Sequence, residues 1–111
     1  MSEHIQVATT TENKGDAQRI AAALVNRRLA ACVQVHGPID STYRWQGRVE
    51  TAEEWGVVAK SRGDLFEKLQ QAIRELHAYD EPEIVATAII AGSPGYLQWI
   101  DDQLADVDDD A

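Results

Sequence analysis

The dipeptide Gln46-Gly47 constrains the fold of this chain more than any other two residues. Ahead of it, Ile39, Ser41, Tyr43 and Trp45 share one face of an extended segment, with Asp40, Thr42 and Arg44 opposite. Glycine accepts a positive φ at little steric cost, so Gln46-Gly47 reads as a two-residue turn between paired strands. A loop of those two residues puts Tyr43 across from Glu50 and Trp45 across from Arg48. A long hairpin with aromatic residues at its tip exceeds what a 111-residue domain needs for its own core. It reads as an arm that reaches another subunit.

The remaining elements follow from periodicity. Ile5 and Val7 alternate with Gln6 in a first strand over 4–10. Asn13 with Asp16 three residues on resembles a capping box, and Ala17, Ile20, Ala21, Leu24 and Val25 recur at helical spacing. Val33-Gln34-Val35-His36 begins a second strand, which Gly37-Pro38 interrupts as a bulge, because proline has no ladder donor. Trp55 to Ser61 carries the returning strand into the core. Asp64 is placed to cap a second helix with Leu65, Phe66, Leu69, Ile73 and Leu76 as its stripe, ending near His77 because Pro82 lies beyond. Glu83 to Ile90 reads as a fourth strand. Ser93 and Pro94 open a third helix anchored by Tyr96, Leu97, Ile100 and Leu104.

The order is β-α-β-β-α-β plus a closing helix in one domain, 1–111, of α+β class. Interleaved β-α-β units give an antiparallel sheet with both long helices on one face. In the fourth strand Ile84, Ala86, Ala88 and Ile90 oppose Val85 and Ile89, and in the third Trp55 and Val57 oppose Val58, so both sheet faces read as apolar. At about 25 cal/mol per Å², leaving several hundred Å² of apolar sheet in water costs roughly 10 kcal/mol, comparable to the stability of a small domain. Burial against further copies is expected.

Net charge is −9, with an acidic end at Asp106, Asp108, Asp109 and Asp110 and lysine only at positions 14, 60 and 68. No basic stripe exists to neutralise phosphates, which excludes nucleic acid as a partner. No apolar run approaches the ~20 residues of a membrane span, and the first residues lack a signal-peptide pattern. A single cysteine, Cys32, cannot form an internal disulfide, so the expected compartment is the cytoplasm. No Gly-rich phosphate loop, nucleophile elbow or His-Glu-x-x-His helix is present, and the chain is not expected to be an enzyme.

Leu29-Ala30-Ala31-Cys32, Tyr43-x-Trp45-x-Gly47-x-x-Glu50, Lys60-Ser61, His77-x-Tyr79-x-x-Pro82-Glu83 and Tyr96-Leu97-x-Trp99-Ile100 occur in that order. Together they resemble the CutA divalent-cation tolerance proteins over nearly all of Ile5 to Leu104. The resemblance implies a ferredoxin-like sandwich with an extended hairpin, and a homotrimer in which the arm pairs with a neighbouring subunit. It also implies a role in tolerance of divalent metals, with copper bound by some members. A cysteine at the end of the first strand and a His-His pair are implicated in those members. Here Thr9 and Leu76 stand at two of those positions, Ala78 stands where proline is usual, and His77 remains.

No obligatory cofactor is expected, but Cu²⁺ or another divalent cation is a candidate ligand. Copper favours imidazole and thiolate, which makes His77, Cys32 and His36 the candidate metal residues. His77 also suits a second role, capping the last carbonyls of its helix. A separate candidate is a cleft between subunits lined by Tyr43, Trp45, Lys60, Tyr79 and Glu83. Lys60 and Glu83 form an ion pair there, or Lys60 binds a small anionic ligand beside the aromatic rings. The second case resembles the trimeric PII signalling proteins at the level of fold.

Overall fold

A computed structural model describes residues 3–106; the acidic residues Asp108 to Asp110 lie outside the described residues. Strand β1 (His4–Thr11) turns Ile5, Val7, Thr9 and Thr11 inward, as strict alternation demands. Helix α1 (Lys14–Asn26) starts where the Asn13 side chain accepts the Asp16 N–H at 2.8 Å and its amide donates to the Asp16 carboxylate at 3.3 Å. Ala17, Ile20 and Leu24 form the buried stripe. Val25 does not join it: one residue past Leu24 is about 100° around the helix, and its side chain is exposed.

The end of α1 is closed by main-chain bonds from Leu29 N–H to Leu24 and from Arg28 N–H to Val25, both 3.0 Å. Arg28 occupies the left-handed position of this motif, with φ 59°. Its guanidinium donates to the carbonyls of Gln103 at 2.9 Å and Asp102 at 3.0 Å, and its own carbonyl accepts from Ala105 N–H.

Strands β2 (Cys32–Trp45) and β3 (Arg48–Arg62) form the long hairpin. Gln46 and Gly47 both take positive φ, 49° and 79°, the two-residue turn that matches strand twist. Tyr43 faces Glu50 and Trp45 faces Arg48, and the register shifts between His36 and Ile39, where Gly37-Pro38 bulges. From the Ile39–Glu54 rung outward the two strands pair with each other alone, and the molecule extends 43 Å in its longest direction against 29 and 23 Å.

The sheet is antiparallel in the order β2-β3-β1-β4. Its inner face (Ile5, Val7, Val57 and Ala59) packs against the stripe of α1 and against Leu69, Ala72 and Ile73 of helix α2 (Phe66–Leu76). Asp64 does not cap that helix. It sits in a short 3-10 turn, Gly63–Leu65, and accepts from Arg62 Nε at 2.9 Å instead.

Strand β4 is Val85–Ala88, shorter than the expected 83–90. The next hydrogen-bonded rung would join Thr10 to Glu83, but the Thr10 carbonyl accepts the Nε2–H of His77 at 2.7 Å. The imidazole ends the ladder.

The outer face is less apolar than the sequence suggested. Ala8, Val58 and Val85 share it with Gln6, Gln34, Lys60 and Thr87, because alternate positions of β1 and β2 carry polar side chains. Helix α3 (Pro94–Gln103) closes one end of that face. Ile100 and Leu104 bury against Ala31 and Leu65, while His4 Nε2 and Arg62 reach the Asp101 carboxylate at 3.0 and 3.2 Å. Tyr96, expected as an anchor, stays half-exposed and stacks on Trp99.

Candidate functional site

The arm rises from the sheet beside the segment that follows α2, and a cleft of about 1000 Å³ opens between them. Tyr43, Trp45, Tyr79 and Glu83 line it within a single chain, whereas the sequence reading places them, with Lys60, in a cleft between subunits. Lys60 does not line it. It lies six residues along β3 from Glu54, roughly 20 Å away, with Nζ 3.4 Å from the Tyr96 hydroxyl and over the Tyr96 ring. It forms no ion pair with Glu83 among the described residues.

The walls carry more charge than the sequence disclosed. Glu50, Glu53 and Glu54 come from the arm, Asp80, Glu81 and Glu83 from the following segment, and Glu12 from the turn after β1. No lysine, arginine or histidine lines the cleft. Glu53 and Glu54 project from opposite faces of β3, yet both line the cleft, which follows the arm from Glu54 to Trp45 near the tip. A concave surface with one sign of charge focuses its field and concentrates counter-ions. The sequence signal was there in the acid-rich runs 50–54 and 80–83, but their meeting depends on a 30-residue excursion of the chain.

Tyr79 ties the two walls together. Its hydroxyl donates to Glu54 Oε2 at 2.9 Å. Burial pushes the phenol pKa above the ordinary tyrosine value, and the hydrogen bond and charge of Glu54, with Glu12 and Tyr43, push it the same way. The phenol is therefore a donor across the physiological range.

The candidate metal residues are separate. His77 donates from Nε2 to Thr10 and accepts the Tyr79 N–H at Nδ1 at 3.1 Å, so both ring nitrogens are committed to the main chain. A carbonyl can only accept and an N–H only donate, which imposes the neutral Nε2–H tautomer. Cys32 and His36 share the outer face of β2 but stand four residues, about 13 Å, apart. The His36 ring fills the space above Gly56, where a Cβ would collide with it. Thr9 is buried with its hydroxyl unpartnered, and no three His, Cys, Asp or Glu side chains among the described residues are gathered to hold a metal ion. A copper centre of imidazole and thiolate donors does not fit this arrangement.

The family described as CutA1 divalent ion tolerance protein matches residues 5–103. A divalent-cation tolerance protein CutA from Thermus thermophilus is 42% identical over 94 residues, covering 85% of this chain and 91% of that one. A solved structure of the divalent cation tolerance protein from the same organism superposes with a TM-score of 0.90 at 38% identity, over 92% of this chain and 99% of that one. A rice protein, CutA 1, chloroplastic, is 36% identical over 96 residues, 86% of this chain. The chain spans about half the length of that plant relative, 54%.

Proposed function

The chain belongs to the CutA1 divalent ion tolerance protein family, and from that premise we propose that it serves divalent-cation tolerance without catalysing a reaction, as a cytoplasmic homotrimer that meets cations at the acid-lined cleft. The observation that carries this reading is the cleft itself, with seven carboxylates and no basic side chain on its walls. Carboxylate oxygens spread over an open surface bind divalent ions weakly and exchange them readily, unlike a closed site with fixed geometry. Copper, on this reading, is held weakly and by oxygen, not by His77, Cys32 or His36. The lone free thiol of Cys32 is in keeping with a reducing compartment.

Trimer formation is supported by the arm. Trp45 is 58% exposed and Val49 64% exposed near its tip, an expensive arrangement for a chain that remains alone. The anion-binding alternative is not carried forward, because the lysine it needed is engaged elsewhere.

Calorimetric titration with Cu²⁺ and Zn²⁺ tests the reading. The triple variant Glu50→Gln/Glu53→Gln/Glu83→Gln is expected to lose about tenfold in affinity, or ~1.4 kcal/mol. His77→Gln, whose amide keeps a donor and an acceptor, is expected to bind like the unaltered protein. Loss of binding in His77→Gln alone would return the site to the imidazole.

A further inference from the structure

We propose that the arm tip of one copy seats in the acid-lined cleft of the next, where its Arg44 and Arg48 meet the carboxylates. This rests on the reading of the arm as an intersubunit element, and adds which surface receives it.

The charges of the chain are not matched within it. Among the described residues, Arg44 and Arg48 are the two lysine or arginine side chains with no hydrogen bond, ion pair or ring contact. Both are exposed at the tip, and residues 41–49 contain no acid. Glu12, Glu50, Glu53, Asp80 and Glu83 line the cleft and likewise have no hydrogen bond or ion pair among the described residues. The two sets are held apart by a rigid ladder. From the Trp45–Arg48 rung to the Ile39–Glu54 rung is six residues of paired strand, about 20 Å. Glu50 is the nearest of the acids in sequence, and even it forms no ion pair with Arg48.

The tip is built to dock. Arg48 shares one face with Trp45, and Arg44 shares the other with Val49, because cross-strand partners lie on the same side of the pleat. Trp45 is 58% and Val49 64% exposed. Tryptophan and arginine are the residues that most often dominate the energy of an interface. A guanidinium pairs with a carboxylate through two N–H groups and stacks on aromatic rings, and the cleft offers both partners, its acids standing beside Tyr43 and Tyr79. Its two walls, the arm and the segment after α2, suit a tip that carries one arginine on each face.

The occupant is a second copy of this chain. At a net charge of −9, two copies repel as wholes, so a contact between them has to set a positive end of one against a negative surface of the other. Tip-to-cleft contact does this and is heterologous: each copy gives a tip and receives one, and a rotation that closes makes a ring with no cleft left unfilled. The cleft is thus incomplete in a single chain. Two arginines leave part of its carboxylate set open to cations.

Sedimentation velocity across a dilution series, in chelator so that metal plays no part, tests this, with circular dichroism to check folding. Arg44→Glu/Arg48→Glu is expected to dissociate at a concentration roughly tenfold to hundredfold higher than the unaltered protein, and Glu53→Arg/Glu83→Arg likewise. The four substitutions together are expected to restore much of the assembly, which a loss of fold or of general solubility would not do. Should a reversed variant misfold, Arg44→Gln/Arg48→Gln reads the same contact with a smaller shift. Assembly unchanged in the tip variants overturns the contact and leaves the trimer standing. Weakening in both sets with no rescue in the combined variant also overturns it. An unaltered protein that is a single chain at micromolar concentration overturns the trimer and this contact together.

Discussion

The inner half of the sheet and the arm are made from the same two strands, yet they obey different rules. Below the bulge, Val57 and Ala59 are sealed under α1 and α2, and every inward position is apolar or small. Above it, the same strands carry Tyr43, Trp45 and Val49 in solvent and eight of their positions line an acid-walled cleft, three of them with carboxylates. Strand pairing is thus a scaffold that does not itself decide what a strand is for. What decides is which third element lies against it, and the arm has no third strand or helix, only the irregular segment after α2 that reaches it through Tyr79.

This contrast can be broken or sharpened by substitution. The largest effect is expected in the sealed half. Leu69→Ala, at a fully buried position, should cost about 3 kcal/mol in chemical denaturation. A loss below about 1 kcal/mol would mean that the inner half is no tighter than the arm. Gly37→Ala, at the boundary, should cost about 2 kcal/mol, since a Cβ would lie 2.8 Å from the Trp55 ring at a φ that alanine avoids. Thr9→Val should move stability the other way by about 1 kcal/mol, because it replaces a buried, unpartnered hydroxyl with a methyl of similar shape. Trp45→Ala should change the subunit's own stability least, by less than about 0.5 kcal/mol. The same variant should nevertheless loosen assembly, seen as dissociation on dilution by light scattering. A trimer unchanged at nanomolar concentration would separate the tryptophan from the interface.

Where local chemistry governs, the chain could be read directly. The register of the hairpin follows from Gln46-Gly47, the start of α1 from Asn13, and the end of α2 from the approach of Pro82. Reading failed where a distant group intervened. Asp64 was free to cap α2 until Arg62 took its carboxylate, and Glu83 was free to extend β4 until His77 claimed the Thr10 carbonyl. Lys60 reads as a member of a cleft between subunits; within one chain α3 folds back to offer it Tyr96. The aromatic members of the cleft were legible as an unusual tip to a hairpin. Its acidic members were not, because Glu12, the 50–54 run and the 80–83 run meet only in three dimensions.

Arg28 ties two ends of the molecule into one knot. Its left-handed backbone is compensated by a motif that closes α1, and its side chain spends its donors on the last carbonyls of α3. A chain shortened ahead of Asp102 would therefore suffer far from the cut: the first helix would fray at its exit, and an arginine would be left in an awkward posture with nothing to grip.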